Sequence, residues 1–142
     1  MNIREVIESK TICVEEILFL GEKIQYRVVS RDLQTKLPGF LGYYEGMLFI
    51  SEDVPERWRV PQVIHEYVEY VHFTDVTGRC VEATKFELAF VASQLPGELQ
   101  QYIQMRIDLF KNLITLYEST GGGSTEEFRG SLAYLESLTV TD

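Results

Sequence analysis

A chain of 142 residues with 45% hydrophobic and 12% aromatic side chains has the size and composition of one domain around one core. Its formal charge of -9, from 22 acidic against 13 basic residues without a local run of Lys and Arg, repels phosphate backbones and argues against direct nucleic-acid binding. The opening MNIREVIESK has no apolar stretch behind its charges, and no later segment approaches the ~18 apolar residues of a bilayer span. Neither export nor membrane insertion is expected, the cytoplasm is the expected compartment, and Cys13 and Cys80 are expected as reduced, structural thiols.

In chain order, Asn2 to Ser9 suits a short helix, while Thr11 to Leu20 mixes β-branched and acidic residues and is left without a type. Lys23 to Ser30 (KIQYRVVS) and Gly42 to Ser51 (GYYEGMLFIS) alternate as half-buried strands do. They are separated by the punctuation Leu37-Pro38-Gly39 and are expected to pair antiparallel. After Ser51, Asp53 is expected as a cap and Pro55 and Pro61 suit a first helical turn, which predicts a long helix ending near Phe73. A turn at Asp75 to Gly78 leads to a second helix, Val81 to Leu95, stopped by Pro96-Gly97. Glu98 to Glu118 carries a long apolar stripe, Gly121 to Gly123 breaks it, and Ser124 with Glu127 reads as a capping box for a last helix. The expected architecture is a single α+β domain. Residues 1–52 supply a helix and a small antiparallel sheet, 53–96 the active-site helices, and 97–142 a C-terminal helical hairpin.

The chemistry concentrates on the segment VIHEYVEYVH. At 100° per residue His65, Glu69 and His72 fall in a strip about 60° wide, which holds both histidines of the chain, and Glu66 lies on its flank. Ligands at i and i+4 converge on one ion from successive turns, and a carboxylate beside the first can take the proton of an attacking water. His65, Glu69 and Glu66 have that spacing, with a carboxylate where an imidazole is usual in HExxH. The same strip also suits a solvated helix face. A di-iron bundle is excluded, because it needs a second Glu-x-x-His pair.

The run GMLFISEDVPERWRVPQVIHEYVEY, followed by EATKF from Glu82 to Phe86 and by Pro96, resembles the ImmA/IrrE family of zinc metallopeptidases over roughly residues 40 to 96. The resemblance implies a zincin-like fold, in which the sheet packs against an active-site helix and a second helix. It also implies zinc as cofactor, His65 as first ligand, Glu66 as general base, Glu69 in the place of the second histidine and Glu82 as third ligand. Glu87 is a substitute for Glu82, and His72 a further candidate. Cys80 reads as a small core residue, Tyr67 and Tyr70 as packing residues, and Tyr43 and Tyr44 as either core or groove-lining residues. The implied substrate is a helix-turn-helix transcriptional repressor, and an acidic surface suits a basic one.

Three readings stand side by side: a metallopeptidase of low activity at neutral pH, a pseudopeptidase binding a protein or peptide partner, and a homodimer formed through the C-terminal helices.

Overall fold

The computed structural model describes residues 1–37 and 41–139. Pro38 and Gly39 of the expected punctuation lie outside them. Among the described residues the architecture is α+β, with six α-helices and one four-stranded mixed sheet.

Helix α1 (Ile3–Ser9) starts where the Asn2 side chain accepts the Glu5 N–H, which satisfies one of the orphan donors of its first turn. The untyped segment is a strand, β1 (Thr11–Phe19), paired antiparallel with β2 (Glu22–Val29). The two-residue turn between them places Leu20 and Gly21 at φ 52° and 80°, the double left-handed conformation that matches strand twist in a tight hairpin. Helix α2 (Leu33–Lys36) follows, then a second hairpin of β3 (Tyr43–Tyr44) and β4 (Met47–Ser51), whose turn at Glu45-Gly46 repeats the device.

The strand order β1-β2-β4-β3 corrects the expected pairing. The strands β2 and β4 run parallel, Tyr26 beside Leu48 and Val28 beside Ile50. Each already has a hairpin partner, β1 and β3, on its outer side. The connection through α2 and β3 carries the chain back along the sheet before β4 enters, and a strand entering from that end can only run parallel. The alternation then does what the sequence suggested. Ile24, Tyr26, Val28, Leu48 and Ile50 pack with Val63 on one face, while Val29, Met47 and Phe49 pack with Ile7 and Leu33 on the other.

The predicted active-site helix begins late. A 3-10 turn, Glu56–Trp58, capped by Pro55, precedes α3 (Arg59–Tyr67), and no cap is made by Asp53. Its last turn, Val68–His72, widens to a π-helix before Phe73. Helix α4 (Arg79–Gln94) packs across α3, with Ile64, Val68 and Ala83 between them. Helices α5 (Leu99–Thr120) and α6 (Glu126–Ser137) form the hairpin, closed over Trp58, Cys80, Tyr102, Phe110 and Leu135. The expected capping box is absent. The Ser124 hydroxyl accepts the Glu126 N–H, but the Glu127 carboxylate reaches away to the Gly78 and Cys80 N–H groups at 3.0 and 3.1 Å, capping α4 instead. No helix of the described residues is long and apolar enough to cross a membrane.

Candidate metal centre

His65 is the centre of the arrangement. Its ring is 3% exposed and stands between two carboxylates, with Glu87 Oε1 at 2.8 Å from Nδ1 and Glu69 Oε2 at 3.0 Å from Nε2. Glu69 comes from the next turn of the same helix, as the i, i+4 spacing requires. The sulfur of Cys80, from the first turn of α4, lies 3.7 Å from the same Nε2. One ligand atom from each of His65, Glu69 and Cys80 lies within 4.8 Å of the others, and all three residues are buried. This group can hold a metal ion.

Glu87, fully buried, stands behind the histidine rather than in the group. Its other oxygen lies 2.8 Å from Arg106 Nε and accepts the Tyr102 hydroxyl. Burial alone would raise its pKa, but Arg106 and His65 outweigh it and hold the carboxyl below the ordinary 4.5. Burial likewise opposes a charge on His65, yet acceptors at Cys80, Glu69 and Glu87 carry the ring well above 6.5. Tyr102 is pushed far up by burial and by the neighbouring Glu87 charge.

Glu66 sits beside the group, half-buried, with the backbone of Gly42 laid against it. A Cβ on Gly42 would meet Glu66 Cγ at 2.8 Å and Cδ at 3.0 Å, so only glycine permits this approach. Burial raises the Glu66 carboxyl to about 7, with His65 and Arg106 opposing and Glu69 and Glu87 adding to the shift. A carboxyl of that strength is divided between acid and base near neutrality.

These groups floor a cleft of about 520 Å³ to which Glu66, Glu69, His65, Cys80 and Arg106 all contribute. Its walls are apolar, with Leu33, Leu41 and Phe49 on the sheet side and Leu109, Leu113 and Leu116 of α5 opposite. The mixture of apolar walls and a few convergent polar groups is that of a ligand site.

The structure brings together His65, Glu69 and Glu66 as the spacing implies, and it separates the rest. Glu82 points from the outer side of α4, where its carboxylate pairs with Lys85 at 3.1 Å. His72 is exposed and packs edge-on against Tyr67, because the π turn carries it out of the strip that a regular α-helix would have kept. Glu87 reaches the site, but against the outer nitrogen of His65. Cys80, read as core, is indeed buried, and its sulfur faces the group that Glu82 was expected to complete. Its signal was its place at the opening of α4, the helix that packs against α3. Tyr43 and Tyr44 are half-buried and pack against the core clusters of the sheet; neither lines this cleft, but Tyr43 stacks on Tyr70 at 4.9 Å and borders a second cleft with Tyr67.

No family model matches the chain, and no curated protein or solved structure is significantly similar to it.

Proposed function

We propose that the protein is a metal-dependent peptidase of zincin type, as its resemblance to the ImmA/IrrE family implies, with His65, Glu69 and Cys80 holding zinc and Glu66 as general base. One observation carries the reading: three buried donors of zinc-binding type converge on one point of a cleft, with a carboxyl of pKa about 7 beside them. The donor set fits the ion. Imidazole, carboxylate and thiolate are all accepted by zinc, and the hydrogen bond of Glu87 to Nδ1 leaves Nε2 turned toward the other two donors.

A bound zinc ion would supply Lewis acidity to the carbonyl of a peptide bond. The rest falls to the chain. Glu66, held in place by Gly42, takes the proton of the attacking water and returns it to the leaving amine. Glu87, itself fixed by Arg106 and Tyr102, keeps His65 in one tautomer and one orientation. The apolar part of the cleft wall takes side chains flanking the scissile bond. The substrate is a protein segment, and a basic repressor would suit the net charge of -9.

A second reading is a binding module that keeps the cleft without the chemistry. The donors favour it, because carboxylate and thiolate together cancel the charge of a divalent ion and weaken it as a Lewis acid.

Purification without chelator, followed by elemental analysis, is expected to give about one zinc per chain, lost in His65→Ala. Cleavage of a mixed peptide library should then require zinc and disappear in Glu66→Gln. Zinc without cleavage would select the binding module, and no zinc in any preparation would end the peptidase reading.

A further inference from the structure

The sulfur of Cys80 has polar neighbours besides His65. The Ser131 hydroxyl of α6 lies 2.9 Å from Sγ and donates to it. Ser131 Oγ in turn lies 3.2 Å from the Thr84 hydroxyl, which is shared with the Cys80 carbonyl oxygen at 2.9 Å. Cys80 is 1% exposed, and Thr84 and Ser131 are wholly buried. One hydroxyl is thus aimed at the sulfur, and a second stands behind it, in a place without solvent.

A neutral thiol is a weak acceptor and gives little return for enclosing two hydroxyls in a core. A thiolate is a strong one, since hydrogen bonds to an ionised acceptor are about twice as strong as those between neutral groups. The backbone of Cys80 is held as well. Glu127 and Ser131 stand one helical turn apart on α6, and the Glu127 carboxylate fixes the N–H groups of Gly78 and Cys80 at the opening of α4. Gly130, between them, lies so close to α4 that a Cβ there would come within 3.1 Å of the Val81 side chain. Three successive features of α6 therefore act on the position of one cysteine.

We infer that Ser131 is a positioning residue for a sulfur ligand: with Thr84 behind it, it fixes the Cys80 sulfur as a donor and makes the centre a sulfur-containing site for thiophilic ions such as zinc or cobalt. The inference rests on the metal-dependent reading above and adds to it the element that sets the third donor. Such outer hydrogen bonds typically carry 10–100-fold of metal affinity.

Cobalt(II) is the probe, because a cobalt–thiolate bond adds a charge-transfer absorption in the near ultraviolet that nitrogen and oxygen donors do not give. The full chain, Ser131→Ala, Thr84→Val and Cys80→Ser are titrated with cobalt, and their folding is followed by circular dichroism. The unaltered protein is expected to show the band, and Cys80→Ser to lack it. Ser131→Ala should move the band to lower energy and weaken binding roughly 10-fold or more. Thr84→Val, which keeps the volume, should move it less in the same direction, and it carries the test alone if Ser131→Ala fails to fold. Cobalt bound with an unchanged band and affinity in the folded variants would overturn the role of Ser131 and leave the metal centre standing. Cobalt bound without the band in the unaltered protein would remove Cys80 as a ligand and the inference with it. No cobalt or zinc bound at all would overturn the metal-dependent reading itself.

Discussion

Glu87 Oε1 and His65 Nδ1 stand 2.8 Å apart in the interior, joining the second crossing helix to the first at the ring that faces the candidate metal centre. Arg106 of α5 closes this contact from behind, so the pair is one part of a charge-balanced buried unit. Replacing Glu87 by Ala removes the partner of a buried guanidinium as well as that of the histidine. Loss of one member of such a pair costs about 3–5 kcal/mol. Glu87→Ala is therefore expected to lower stability by that order in urea denaturation. Glu87→Gln, which keeps the shape, should weaken zinc binding more than it weakens the fold. Equal metal affinity in Glu87→Gln and the unaltered chain would remove Glu87 from its supporting role.

The ligand set makes a clean distinction between two glutamates and a cysteine. His65→Ala, Glu69→Ala and Cys80→Ala should each abolish stoichiometric zinc, whereas Glu82→Ala should retain it, since that carboxylate pairs with Lys85 on the outer side of α4. Inductively coupled plasma mass spectrometry on the four variants decides this. Zinc lost in Glu82→Ala and kept in Cys80→Ala would restore the third ligand that the family resemblance implied.

Gly42→Ala places a methyl group 2.8 Å from Glu66 Cγ. Overpacking of this kind costs about 1–3 kcal/mol. More specifically, it should displace Glu66, the proposed general base, without touching the proposed ligands. The expected result is zinc content unchanged and peptide cleavage strongly reduced. Full activity in Gly42→Ala would show that the position of Glu66 is not critical.

The pH dependence of the chelated, metal-free protein follows from three shifts. His65 has a folded pKa well above 6.5, so its contribution is complete below 6.5 and is lost as pH rises through the folded value. Glu66, raised from 4.5 to about 7, acts in the same direction: its contribution is complete below 4.5 and is lost as pH rises from there to about 7. Glu87 is lowered from 4.5, so its contribution is present above 4.5 and disappears on acidification. Stability should therefore be greatest near pH 4.5, falling on the acid side as Glu87 is protonated and on the alkaline side first through Glu66 and, above 6.5, through His65 as well. Thermal denaturation across pH 4 to 8 tests this, and Glu66→Gln should flatten the alkaline side. A maximum above pH 7.5 in metal-free protein would contradict the assignment.

Much of this arrangement was legible where a single period governs. The α3 face carrying His65 and Glu69, with Glu66 on its flank, follows from 100° per residue, and the apolar alternation of β2 and β4 follows from the pleat. What escaped the sequence depends on partners far along the chain. Nothing local marks β4 as parallel to β2, because that direction is set by which edges the hairpins β1/β2 and β3/β4 leave open. His72 left its strip because the helix ends in a π turn, which no helical period contains. Ser124 and Glu127 have the spacing of a capping box, yet Glu127 finds stronger use across the fold, at two N–H groups of α4. The choice of Cys80 over Glu82 is equally nonlocal. The two differ by two positions on α4, enough to turn one inward and the other to solvent.

The bond from Glu127 to the Cys80 N–H also ties the centre to the last helix. Helices α3 and α4 are both synthesised before α6. Until α6 docks, the opening turn of α4 lacks its acceptor and the cysteine lacks its anchor. The centre is thus complete only once α6 is in place. A nascent or partly opened chain carries the ligands without their final geometry, which postpones any activity of the cleft until the domain is whole.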